Sequence, residues 1–72
     1  MKHYEEIDKG RFESCLLRIE WNDWREEWEE TPIAFTDFDV VRVTDKCKKS
    51  DRTAVLDFAE KYDLTIEEND IF

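Results

Sequence analysis

Apolar and polar residues alternate most clearly in "RFESCLLRIEW", residues 11–21, where Cys15, Leu17, Ile19 and Trp21 share one parity and Ser14, Arg18 and Glu20 the other. Successive strand side chains point to opposite faces, so this predicts a half-buried strand with Cys15 and its parity partners turned inward. Trp21, Trp24 and Trp28 recur at i, i+3 and i+7, which a helix would place on one stripe. Asp23 precedes Glu26 by three, a start resembling a capping box, and Pro32 supplies a stop, so a short helix is predicted near residues 23–30. The alternative is a strand pair with a turn at Asn22-Asp23, but that turn lacks the glycine a two-residue hairpin favours.

"IAFTDFDVVRV", residues 33–43, is rich in β-branched and aromatic residues and predicts a strand. Its apolar phase changes partway, which calls for a bulge near residues 37–39 or for cover on both faces. The clearest helix follows: Val55, Phe58, Ala59 and Tyr62 form an i, i+3, i+4, i+7 stripe, with Ser50 or Asp51 as its cap. The polar segment before Gly10 reads as a helical turn, and Leu64 with Ile66 as a brief last strand. The fold class these elements predict is α+β: two or three antiparallel strands packed against one main C-terminal helix.

Length sharpens this picture. Seventy-two residues make one domain, 1–72, with a small core and a stability of roughly 4–10 kcal/mol. Large aromatics are the expected core suppliers: Phe12, Trp21, Trp24, Trp28, Phe35, Phe38, Phe58 and Tyr62. Two cysteines do not make a disulfide framework, so Cys15 and Cys47 are read as reduced thiols. The N-terminus has no apolar signal region and no run approaches a membrane span, so a cytoplasmic protein without membrane contact is expected.

Charge changes the picture most. The formal net charge is −9, and it is unevenly spread. Residues 20–39 hold Glu20, Asp23, Glu26, Glu27, Glu29, Glu30, Asp37 and Asp39 against Arg25 alone, a net of −7. Residues 40–56 reverse to +3, with Arg42, Lys46, Lys48, Lys49 and Arg52 against Asp45 and Asp51. Solubility needs only moderate, mixed charge, so one strongly acidic window is the feature to be explained.

Catalytic chemistry finds little support. A Cys-His nucleophile would need His3 beside Cys15 or Cys47, and the chain lacks the ligands of a zinc site. "DFDVVRVTD" alternates acids without the glycine and closing glutamate of a calcium loop. No enzyme, metal or cofactor is therefore expected. "AVLDFAEKYDLTIEEND" has the layout of the first helix and turn of a helix-turn-helix, but Glu67, Glu68 and Asp70 would repel phosphate, so no direct nucleic-acid contact is expected.

The acidic window suits a different partner. Carboxylates on a rigid frame offer a basic groove what a phosphate backbone offers, and tryptophan is a frequent interface anchor. The expected binding residues are Glu20, Asp23, Glu26, Glu27, Glu29, Glu30, Asp37 and Asp39, with Trp24 and Trp28 divided between core and interface. In size and charge alone, with no shared motif, the chain resembles DNA-mimic inhibitors of anti-restriction or anti-CRISPR type. Its expected partner is a basic, nucleic-acid-binding protein. The rival expectation is an interaction or accessory domain, such as a homodimer, adaptor or immunity-type protein, that pairs through a strand edge.

Overall fold

The computed structural model describes residues 2–10 and 13–67. Five strands form one sheet in chain order: β1 (Lys2–Ile7), β2 (Cys15–Asn22), β3 (Glu27–Asp37), β4 (Val40–Val43) and β5 (Thr65–Ile66). The first four pair antiparallel, and β5 joins β4 in parallel after a crossover through α1 (Arg52–Lys61). The expectation of two or three strands against a main helix is thus corrected: the protein is mostly sheet, with one short helix on one of its faces.

The predicted stripe on α1 does what its spacing requires. Val55, Phe58 and Ala59 are buried against Leu16, Ile33, Ala34, Val41, Cys47 and Leu64, with Tyr62 packed at the margin. The helix ends in a Schellman motif: Leu64 N–H bonds to Ala59 O at 2.9 Å and Asp63 N–H to Glu60 O at 3.0 Å, with Asp63 at φ 54°. Leu64 and Ala59, the apolar pair of that motif, both belong to the core.

The facing of β2 is the reverse of the predicted one. Leu16 enters the core and Arg18 is buried on the helix side, whereas Cys15, Leu17, Ile19 and Trp21 line the opposite face. Arg18 turns inward because an acid waits there: its Nη1 lies 2.5 Å from Oδ2 of the fully buried Asp51. A buried charge is tolerated when it is paired and hydrogen-bonded, and the binary pattern alone cannot register that.

The predicted helix near residues 23–30 is a β-hairpin. Asn22 decides it, since its Oδ1 accepts from Trp24 N at 2.9 Å and Arg25 N at 3.2 Å, closing an Asx turn at the head of a four-residue loop. Glu26 completes that loop in the left-handed region, at φ 51°. Pro32 does not end a helix; it lies within β3 beside a bulge, one of the few sheet positions that take a proline. Leu16 faces Ala34 and Leu17 faces Pro32, so Ile33 is the extra residue, and it is fully buried in the core.

The phase change in residues 33–43 is a turn. Phe38 and Asp39 join β3 to β4, with Phe38 at φ 58° and 72% exposed. The segment before Gly10 is strand β1 rather than a helical turn, and Leu64 precedes β5 instead of joining it. Of the aromatics expected in the core, only Phe58 is fully buried and Tyr62 packs beside it; Phe12 lies outside the described residues.

Candidate functional site

Eleven residues of β3 span about 33 Å at strand rise, most of the 38 Å long axis of the molecule. One end of that strand, with the β2 segment paired to it, carries the acidic window. Cross-strand register places Glu20 opposite Glu29 and Asn22 opposite Glu27 on the helix side of the sheet. On the other side Trp21 faces Trp28, and Ile19 faces Glu30. Asp23 and Glu26 occupy the loop, with Trp24 97% exposed between them.

Six of the eight expected carboxylates therefore meet on one hairpin end, distributed over both of its faces and its tip. Asp37 and Asp39 do not join them. They sit at the far end of β3, where Asp37 pairs with Arg42 at 2.5 Å and Arg42 also reaches Glu67 at 2.6 Å. Within the hairpin, Arg18 Nε holds Glu20 at 2.6 Å and Arg25 lies 3.5 Å from Glu27. The side-chain carboxylates of Glu29 and Glu30 make no hydrogen bond or ion pair with any described residue.

This arrangement opposes stability. Like charges directly across a ladder are destabilising, as Glu29 opposite Glu20 must be in part. Glu26 adds backbone strain, because a side chain with a Cβ loses about 1–2 kcal/mol in the left-handed region. Glu26→Gly is accordingly expected to raise the unfolding free energy by about 1 kcal/mol, with a matching rise in thermal midpoint. No change in midpoint would mean the loop is not strained there.

The opposite face of the hairpin is aromatic. Trp21 and Trp28 meet edge to face at 5.4 Å between centroids, and His3 of β1 meets Trp28 at 5.5 Å. None of the three tryptophans enters the core: Trp21 and Trp28 are 41% and 46% exposed. His3 and Trp28 close over Ile19, which is only 4% exposed although no helix covers it. Together with Glu5 and Glu30 these side chains line a shallow recess of about 460 Å³. His3 Nε2 lies 3.0 Å from Glu5 Oε2. The contribution of His3 and Glu5 was not legible beforehand, because β1 meets β3 only through the register of β2.

A second cluster lies under the N-terminus of α1. Asp51 accepts from Tyr4 Oη at 2.7 Å, Lys48 N at 2.9 Å and Arg18 Nη1, while Arg18 Nη1 also donates to Lys46 O at 3.2 Å. Burial pushes the Asp51 carboxyl up, but those three donors outweigh it and hold it below the usual carboxylate range. Burial and the hydrogen bond to Asp51 push Tyr4 up to about 12. The neutral phenol is thus favoured in the folded state, and stability is expected to fall as pH rises from about 10 to 12. Tyr4→Phe should remove that part of the decline in an alkaline unfolding series, and an unchanged curve would refute the assignment. All the polar groups of the cluster are satisfied. It pins β1 and β2 to the segment that leads into the helix.

The remaining chemistry is sparse. Cys15 and Cys47 are free thiols, and burial raises both pKa values away from the reactive range. Among the described residues, no group of three or more His, Cys, Asp or Glu side chains is placed to hold a metal ion, and no helix is long and apolar enough to cross a membrane. Among the described residues the stretch after α1 leads into β5; Glu68 and Asp70 of the would-be helix-turn-helix segment lie outside them. In comparisons with known proteins, no family model, no curated protein and no solved structure matches the chain.

Proposed function

We propose that the protein is a small acidic inhibitor that sets its β2–β3 hairpin into the nucleic-acid-binding site of a basic partner protein. The observation that carries this reading is the concentration of six carboxylates, Glu20, Asp23, Glu26, Glu27, Glu29 and Glu30, on one hairpin end whose own residues supply one exposed cation, Arg25, with Lys2 of β1 across the ladder from Glu20. A ladder-bonded hairpin keeps them in place, so little ordering entropy is lost on docking. Their mutual repulsion is relieved when basic groups enclose them. No chemistry is required of the protein, and a cytoplasmic location suits such a partner.

The test uses a variant in which Asp23→Asn, Glu26→Gln, Glu27→Gln and Glu29→Gln are combined. The tagged protein is incubated with cell lysate in 0.1 M NaCl, and the captured proteins are challenged with double-stranded DNA. Capture of a nucleic-acid-binding protein, its displacement by DNA and its loss with the variant are the expected results. Capture that DNA does not displace, or that the variant retains, would defeat the mimic reading.

A second reading rests on a different observation. β4 pairs only with Ala34–Asp37, so residues 27–31 of β3 have no strand beside them on the side away from β2 among the described residues. That edge could add a partner's strand, as in a homodimer, an adaptor or an immunity-type protein. Binding of that kind is carried by main-chain hydrogen bonds and survives 0.5 M NaCl.

A further inference from the structure

Three strands contribute to the recess on the aromatic face, and its chemistry is specific. Two registers, His3 with Ile19 and Ile19 with Glu30, set one row across β1, β2 and β3. Neighbouring strands are about 4.8 Å apart, which puts His3 and Glu30 about 10 Å from each other across Ile19. The next rows supply Trp28 on one side and Glu5 on the other. The result is an apolar floor, an indole wall and two carboxylates, Glu5 and Glu30, on opposite flanks.

Each part suits one kind of guest. Indole faces attract cations, and a planar guanidinium both stacks on the ring and offers a fork of N–H donors to a carboxylate. Glu30 is exposed and has no ion-pair partner among the described residues, and it stands two positions from Trp28 on the same face of β3. A stacked guanidinium could therefore meet Trp28 and Glu30 at once. Glu5 adds a second carboxylate on the opposite flank, held beside His3 Nε2. An aliphatic guest would leave both carboxylates desolvated, and an anion would be repelled. A lysine ammonium fits less well, because it is compact, strongly hydrated and unable to present a planar fork.

We infer that the recess formed by His3, Glu5, Ile19, Trp28 and Glu30 is a binding site for a single arginine side chain of the basic partner. The inference rests on the proposed function for the source of that arginine. It deepens that reading by adding a specific anchor to the diffuse charge of the hairpin tip. Guanidinium recognition here fixes the orientation of the hairpin, while the tip carboxylates supply attraction at longer range.

The experiment titrates the full chain with a capped peptide holding one arginine between glycine and serine residues. The resonance of the Trp28 indole N–H is followed, and matched peptides carry lysine or citrulline instead. The expected result is a saturable shift at Trp28 with the arginine peptide, at least about 5-fold weaker with lysine and absent with citrulline. Combining Glu5→Gln and Glu30→Gln should weaken the arginine peptide about 10-fold, and Trp28→Leu, followed through the indole N–H of the neighbouring Trp21, should weaken it similarly. Asp39→Asn, at the far end of β3, should leave its affinity within about 2-fold, since screening confines the effect of a charge about two Debye lengths away.

Equal binding of lysine and arginine, unchanged affinity in the Glu5/Glu30 variant, or shifts spread evenly over all the carboxylates would overturn the inference. Cross-strand backbone shifts at positions 21 and 28 confirm that each variant retains its hairpin. The two proposals fail separately. Specific peptide binding without capture of a DNA-displaceable partner removes the mimic reading and keeps the arginine site; the converse keeps the mimic and removes the site.

Discussion

Replacing Arg18 with methionine is expected to lower the unfolding free energy by about 3–5 kcal/mol, because it strips a fully buried carboxylate of its hydrogen-bonded cation and leaves only Lys2 Nζ at 3.9 Å. Against a total of roughly 4–10 kcal/mol for a chain of this length, that removes about 30% or more of the stability. The thermal midpoint should fall by at least about 12 °C. Adding Asp51→Asn should restore much of the loss. It removes the stranded charge; its carbonyl oxygen can still accept from Lys48 N at the Oδ2 position, and its NH2 can donate to Tyr4 Oη at the Oδ1 position. A single variant within about 1 kcal/mol of the parent would mean that Arg18 and Asp51 are not coupled as described.

The same cluster gives a pH test. In the parent, Asp51 has a folded pKa below its unfolded value, so it contributes stability above the unfolded pKa of about 3.9 and loses it as pH falls through the folded pKa. In the methionine variant, the arginine's hydrogen bond and charge are gone, and only Tyr4 Oη, Lys48 N and the more distant Lys2 oppose burial. Its folded pKa is raised relative to the parent's, so protonation relieves the buried charge at a higher pH. The stability gap between parent and variant should therefore shrink as pH falls through the carboxylate range. Equilibrium urea unfolding at a series of pH values measures that gap directly, and a gap constant with pH would contradict the ion pair.

Arg18 also shows why part of the fold could not be read in advance. Alternation in residues 14–21 correctly marked a strand, but the direction of its faces depended on an acid thirty-three positions away. The helix stripe was legible because Val55, Phe58, Ala59 and Tyr62 report on one another locally. The tryptophan spacing misled because i, i+3, i+7 also arises when a four-residue loop separates two strands, and Asn22 settles that choice through two hydrogen bonds. Turn chemistry was hidden at Phe38 and Glu26, which hold positive φ without being glycine. The edge strand β1 has mostly exposed side chains, so it carried no alternation to detect. The acidic window was visible as composition. Its division between a hairpin end and a turn at the far end of β3 was not, and neither was the joining of His3 and Glu5 to Trp28 and Glu30.

That division leads to the prediction with the largest expected effect on binding. If about four hairpin carboxylates displace counterions from a basic groove, and each contributes as a phosphate does, the logarithm of affinity should fall with log salt at a slope near −3.6. Between 0.1 and 0.5 M NaCl the association constant then drops roughly 300-fold. The variant neutralised at Asp23, Glu26, Glu27 and Glu29 should have a slope near zero, and in 0.1 M NaCl it should bind about as weakly as the parent does in 0.5 M. Asp39 provides the spatial control. It lies about 30 Å from the hairpin tip along β3, roughly three Debye lengths at 0.1 M, so Asp39→Asn should change affinity less than about 2-fold. Titration calorimetry with the captured partner at four salt concentrations measures all three slopes. If Asp39 matters as much as Glu27, the footprint is the whole sheet and the hairpin has no special place. If the parent's slope is flat, main-chain pairing at the open β3 edge carries the contact, and the carboxylates are solvated surface.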